Sequence, residues 1–183
     1  FVGAGATLSL NLSSMAFASG QGIVVSNGGT LSMSTTSRLN VLGNATMQSG
    51  GLWTHAANTA VSSNTVNVGV TGDFDVQAGA TISVDAKGYR GSVAAGAAGS
   101  GPGGGGSTST GGNGAGHGGR GGNGQGSARG GAAYDVPSAP ADLGSGGRAI
   151  PYNHRVGTGS GGQVRLTAGS VNLNGAIRAN GVN

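Results

Sequence analysis

Val66-Asn67-Val68-Gly69-Val70-Thr71-Gly72-Asp73-Phe74-Asp75-Val76-Gln77-Ala78-Gly79-Ala80-Thr81-Ile82-Ser83-Val84 sets the expectation for the whole chain. Apolar residues alternate with Asn, Thr, Asp and Ser, the period-two pattern of strands with one buried face. Leu8, Leu10 and Leu12, Leu31 and Met33, Leu39 and Val41, and Val164 and Leu166 continue it. No stretch carries a helical stripe. A longer step overlies the alternation. Val66, Phe74 and Ile82 stand eight apart, as do Ile23, Leu31, Leu39 and Met47. Three strands at that step predict a coil of about 24 residues, a period typical of solenoids. The phrase Gly5-Ala6-Thr7-Leu8-Ser9-Leu10 returns as Gly79-Ala80-Thr81-Ile82-Ser83-Val84, with looser copies at Gly29-Thr30-Leu31 and Gly43-Asn44-Ala45-Thr46-Met47. The expected fold is all-β: a parallel β-helix with Leu8, Leu31, Leu39, Val68, Phe74, Ile82, Val84, Val164, Leu166 and Ile177 in its core. An antiparallel sandwich is the competing reading of short alternating strands.

Residues 88–162 interrupt this pattern and hold 28 of the 43 glycines. The domain reading is therefore β-helix coils over 1–87, a glycine-rich insertion over 88–162, and a completing coil over 163–183. Taken every third residue from Gly111 and from Gly112, the tract gives two contrasting series. Gly112, Ala115, Gly118, Gly121, Gly124, Ser127 and Gly130 are small, whereas the adjacent series includes His117, Arg120, Asn123 and Arg129. Period three suits polyproline-II-like or polyglycine-II helices, which lack internal hydrogen bonds and can satisfy their backbones side by side. Gly112, Gly118, Gly121, Gly124 and Gly130 are thus expected at helix contacts, and His117, Arg120, Asn123 and Arg129 on the outward polar face. A disordered tract is the alternative.

Composition limits the chemistry. The 183 residues carry nine Lys and Arg, five acids, no Cys and 4% aromatics, for a net charge of +4. Without Cys there is neither a disulfide framework nor a thiolate metal site, and no cofactor is expected. Gly101-Pro102-Gly103-Gly104-Gly105-Gly106-Ser107-Thr108 has phosphate-loop spacing but Ser107 where the lysine must stand. The Arg-Gly-Gly phrases at Arg120 and Arg129 lack the interleaved aromatics and dense cations of flexible RNA binders, so no nucleic-acid partner is expected. No apolar run reaches the roughly 20 residues needed for a membrane span. Asp73 and Asp75 point to one strand face, where a pair of carboxylates suits Ca²⁺ or sugar chemistry; two solvated aspartates that discourage edge pairing are the plainer reading. His55, His117 and His154 share no metal-ligand spacing. Trp53 and His55 form a candidate glycan contact, because an indole face suits a pyranose ring; a partly buried corner is the plainer reading of a lone Trp followed by His.

The run Ser83-Val84-Asp85-Ala86-Lys87-Gly88-Tyr89-Arg90, the Gly/Ser tract, Gly131-Ala132-Ala133-Tyr134, Ser138-Ala139-Pro140, Leu143-Gly144-Ser145-Gly146-Gly147 and the closing Ile177-Arg178-Ala179-Asn180-Gly181 resemble the glycine-rich repeat regions of very large secreted bacterial surface proteins. The glycine tract is more weakly similar to the adhesin tips of phage tail fibres. The resemblance implies an extracellular, non-enzymatic β-helix with scaffolding or adhesive work, and surface polysaccharide as a further partner. A carbohydrate-binding or carbohydrate-cleaving β-helix is the alternative. Neither Phe1-Val2-Gly3 nor the closing segment carries a polar cap. Identical copies are therefore expected to meet end to end as a filament.

Overall fold

The computed structural model describes residues 1–11, 15–16, 18–94, 96–106, 111–124, 129–149 and 156–182. It divides into two compact units. The first comprises Phe1–Ala56, Ser63–Val84 and Val164–Arg178; the second comprises Ala57–Ser62, Asp85–Gln163 and Ala179–Asn183.

Among the described residues the first unit holds eleven strands: β1 (Thr7–Leu10), β2 (Met15–Ala16), β3 (Ile23–Val25), β4 (Thr30–Met33), β5 (Leu39–Val41), β6 (Ala45–Met47), β7 (Leu52–His55), β8 (Val66–Val76), β9 (Thr81–Ser83), β10 (Val164–Leu173) and β11 (Ala176–Arg178). One sheet runs β1-β4-β7-β9-β11. The other runs β2-β5-β8-β6-β3, with β10 also on β8. All the pairings are parallel. Leu31, Leu39, Val68, Phe74, Ile82 and Val84 are each at most 2% exposed and share one apolar cluster with Val25, Val41, Met47 and Trp53.

The expected parallel β-helix is not formed. The chain has two mostly parallel sheets, neither of them closed or curled, and only about 30% of it is strand. The eight-residue step misled for a physical reason. Val66, Val70, Phe74 and Val76 lie on one eleven-residue strand, β8. Thr71 and Gly72 carry the chain straight on where a corner was expected. Strands β5 and β6 both pair with β8, at Val68–Val70 and Phe74–Val76 respectively. Ile23, Leu39 and Met47 accordingly fall in one sheet and Leu31 in the other, not on three successive faces. Leu8 and Ile177, expected in the core, are 42% and 41% exposed because they sit on the edge strands β1 and β11. Val164 and Leu166 on β10 are only partly buried.

The Gly-Ala-Thr phrase has a structural cause. Gly5, Gly28, Gly50 and Gly79 have φ between 70° and 84°, a left-handed conformation open to glycine at little cost. Each stands two residues before a strand of the first sheet: β1, β4, β7 and β9. They are also bonded in series, Gly5 N–H to Gly28 O, Gly28 N–H to Gly50 O and Gly50 N–H to Gly79 O, at 3.0–3.1 Å. At Gly50 and Gly79 a Cβ would also meet the Asn27 and Ser49 side chains, whereas at Gly5 and Gly28 the φ alone selects glycine.

The described residues of the second unit form segments without strand ladders. Residues 143–149 show how they associate. Gly144 N–H donates to Gly161 O, Gly146 to Ser100 O, Gly147 to Thr158 O and Arg148 to Asn113 O. The carbonyls of Gly144, Gly146 and Gly147 accept from Tyr89, Gly105 and Ser92. A strand in a sheet bonds two neighbours, whereas this segment bonds four. The absence of Cβ atoms permits that approach, and the buried amides and carbonyls are thereby paired. Leu143, Ala149 and Tyr89 supply the unit's buried apolar side chains.

Candidate functional site

Trp53 is fully buried, its ring 5.7 Å from that of Phe74 in an edge-on arrangement. His55, on the same strand, is also fully buried, with Nδ1 2.7 Å from Ala56 O. Neither presents a face to solvent, so the proposed sugar platform does not form. Alternation along β7 is broken, with Trp53, Thr54 and His55 all covered. Thr54 Oγ1 is satisfied by donating to Ser83 O at 2.6 Å.

The paired aspartates do lie together on an exposed face, but their oxygens are engaged across the β8–β10 register. Ser170 Oγ donates to Asp73 Oδ1 at 2.5 Å, and Asn172 Nδ2 donates to Asp75 Oδ1 at 2.9 Å. In the second unit Asp85 Oδ1 accepts from Asn180 N–H, and Asp142 Oδ1 from Leu143 N–H. Asp73, Asp75 and Asp85 thus tie neighbouring segments together, whereas Asp142 holds the amide next to it. Among the described residues no group of three or more His, Cys, Asp or Glu is placed to hold a metal ion; His154 lies outside them.

The expected glycine contacts divide. A Cβ on Gly121 would run into the Gly114 carbonyl, and one on Gly130 into the Gly121 carbonyl. A Cβ on Gly124 would meet Asn113 Oδ1 and lie 2.6 Å from Gly112 O. Gly118 is different: it is exposed, and a Cβ there would meet only the Pro137 ring, at 3.2 Å. The outward series is also more engaged than its spacing suggests. Asn123 Oδ1 accepts from Gly130 N–H at 2.9 Å, and Arg120 Nη1 reaches Gly130 O at 3.5 Å. Arg129 is exposed.

His117 belongs to the densest polar constellation described, which sequence reasoning missed. Its ring stacks on Tyr134 at 4.8 Å, and Nε2 is 3.2 Å from Asp135 Oδ2. A recess of about 290 Å³ is lined by His117, Gly118, Asp135, Val136, Pro137 and Pro140. Asp135 has φ 65° and accepts backbone N–H bonds from Val136, Ala141 and Asp142 at 2.8–2.9 Å. Chiefly the Asp142 amide, then that of Val136, hold its carboxyl down at about 2. Such a carboxylate is too weak a base for proton abstraction near neutral pH. Tyr134 donates to Leu143 O and accepts from Ser145 Oγ, which itself accepts from Gly103 N–H. Burial raises the Tyr134 phenol pKa, keeping it protonated. The cluster fastens a loop across the bundle.

Because the Asp135 pKa is depressed, its contribution is present above the ordinary carboxylate value near 4 and is lost as pH falls through about 2. Acidification through that window is expected to loosen residues 135–142, read as faster amide exchange. Asp135→Asn, which tolerates the left-handed φ, should flatten the pH dependence. An unchanged acid transition in that variant would show that Asp135 does not set it.

Asn113 was also missed. It is 2% exposed; Nδ2 donates to Gly106 O, Oδ1 accepts from Gly124 N–H, and its backbone carbonyl accepts from Arg148 N–H. One side chain thus joins three glycine segments. No helix among the described residues is long and apolar enough to cross a membrane. No known protein family, curated protein or solved structure matches this chain.

Proposed function

We propose that the chain is a non-enzymatic structural module of an extracellular bacterial surface fibre, with scaffolding or adhesive work. The observation that carries this reading is how the polar groups are used. Asp73, Asp75, Asp85, Asp135 and Asp142 each accept hydrogen bonds that join one segment of the chain to another or brace a turn. General acid–base work needs a carboxylate or imidazole poised beside a substrate, whereas here the carboxylates are committed to the frame. The outward rows Ser9-Ser32 and Thr46-Asp75-Asn172 are side-chain ladders suited to a load-bearing surface. Burial of Trp53 and His55 weighs against the carbohydrate-active alternative. The bacterial and extracellular parts of the proposal rest on the resemblance of the glycine-rich segments.

Incubation with a panel of bacterial surface polysaccharides tests it. Adsorption without release of reducing ends or unsaturated sugars is the expected result. Turnover that falls in Asp73→Asn or Asp75→Asn would replace the structural reading with an enzymatic one.

A further inference from the structure

Gly69 leaves a notch in the outward face of β8. It is flanked in register by Asn40 on β5 and Thr167 on β10, and a Cβ at this position would fall on the Arg38 guanidinium. The side chain of Arg38, which stands immediately before β5, therefore lies over the Gly69 backbone, while the residue itself remains exposed. A second exposed arginine, Arg165, is in register with Asn67, two residues back along β8. Strands β8 and β10 lie about 4.8 Å apart, well inside the length of an arginine side chain. One patch gathers two guanidinium groups, the amides of Asn40 and Asn67, and the Thr167 hydroxyl. Asn67 Nδ2 donates to Thr36 O at 3.2 Å, which orients that amide. Among the described residues, which include all five acids, neither arginine has a carboxylate partner, and the one ion pair is His117–Asp135. The first carboxylate along this face of β8 is Asp73, about 20 Å beyond Asn67 at the usual strand rise, and it accepts from Ser170.

From this arrangement we propose that the patch of Arg38, Asn67 and Arg165 around Gly69 binds the anionic groups of an acidic polysaccharide, either uronate carboxylates or sulfate esters. This deepens the adhesive reading of the chain and rests on it. Charge complementarity calls for an anion, and the planar fork of a guanidinium matches a carboxylate or sulfate. Resting Arg38 on the glycine lowers the cost of ordering its side chain on binding. The neutral neighbours indicate what carries the anion: Asn40, Asn67 and Thr167 suit the hydroxyl groups of a sugar ring. Two cations are too few for the closely spaced phosphates of a nucleic acid. The single aromatic on β5, β8 and β10 is the fully buried Phe74, so none is offered for base stacking. A lipid surface calls for a denser cluster of cations.

Binding to fluorescently labelled polygalacturonate, dextran sulfate and neutral dextran tests the site, with circular dichroism to check that each variant is folded. The protein should bind polygalacturonate or dextran sulfate, the tighter of the two identifying the group preferred, and should leave dextran unbound. Added salt should weaken the binding, because both arginines are exposed. Arg38→Gln and Arg165→Gln should each weaken it by about tenfold. Gly69→Ala should weaken it several-fold with the charge unchanged, by lifting Arg38 off the sheet. Arg129→Gln, which removes an exposed arginine of the second unit, should have no effect. Failure to bind either acidic polymer would overturn the proposal, as would equal affinity of the parent and the Arg38→Gln/Arg165→Gln double variant. Tighter, patch-dependent binding to duplex DNA or to phosphatidylglycerol vesicles would also overturn it, by giving the patch a different partner. None of these results touches the structural reading of the chain, which fails on polysaccharide turnover, a separate measurement.

Discussion

Phe74→Ala is expected to lower the unfolding free energy of the first unit by about 3–5 kcal/mol, the range for removing a large core aromatic. Phe74 is fully buried in the middle of β8, between Ala45 and Val171 in register and edge-on to Trp53. Ala45 is too small to fill the space, so the cavity persists and the Trp53 contact goes with it. Urea unfolding followed by Trp53 fluorescence reports the loss directly, because Trp53 is the single tryptophan. Phe74→Leu should recover much of it. A midpoint unchanged by Phe74→Ala would show that this cluster is not what holds the sheets.

Gly146→Val should be strongly damaging to the second unit. A Cβ there would overlap the Arg90 carbonyl, with the Gly91 nitrogen only 2.7 Å away. Backbone, not a yielding side chain, occupies the space, so the cost exceeds the roughly 1–3 kcal/mol of ordinary overpacking. The Gly105 N–H to Gly146 O and Gly146 N–H to Ser100 O bonds would be lost together. Gly122→Val is the control, since nothing lies within 4 Å of a Cβ at that position. Amide exchange over residues 99–105 and 143–149 should accelerate strongly in the first variant and little in the second. Equal protection in both would mean that close glycine contact does not hold the bundle.

Core membership was legible in the sequence because alternation reports burial locally. Leu31, Leu39, Val68, Phe74, Ile82 and Val84 are buried as the pattern requires. Sheet membership was not legible, because an eight-residue step fits two short strands with a corner as well as one long strand, and β8 is the latter. Edges were not legible either: Leu8 and Leu31 occupy equivalent phrases, and only the order of strands leaves Leu8 on the outside. Trp53 allowed two readings because an indole serves both as a binding face and as filling, and its full burial selects the second. Asn113 and Asp135 left no signal. Their importance comes from which distant amides they reach, which spacing within a low-complexity tract does not encode.

The bonded series Gly5-Gly28-Gly50-Gly79 also bears on how such a chain tolerates change in length. The first two steps differ by a single residue, and the last is longer, with the extra residues placed between β7 and β8. A one-residue deletion inside a strand would move the following glycine out of the series and turn its apolar row over. Removal of everything from one glycine of the series to the next would instead rejoin two equivalent turns and keep the apolar residues of the remaining strands on their faces. Related chains should therefore differ in length by whole segments between such glycines or by insertions between strands, and seldom by single residues within strands.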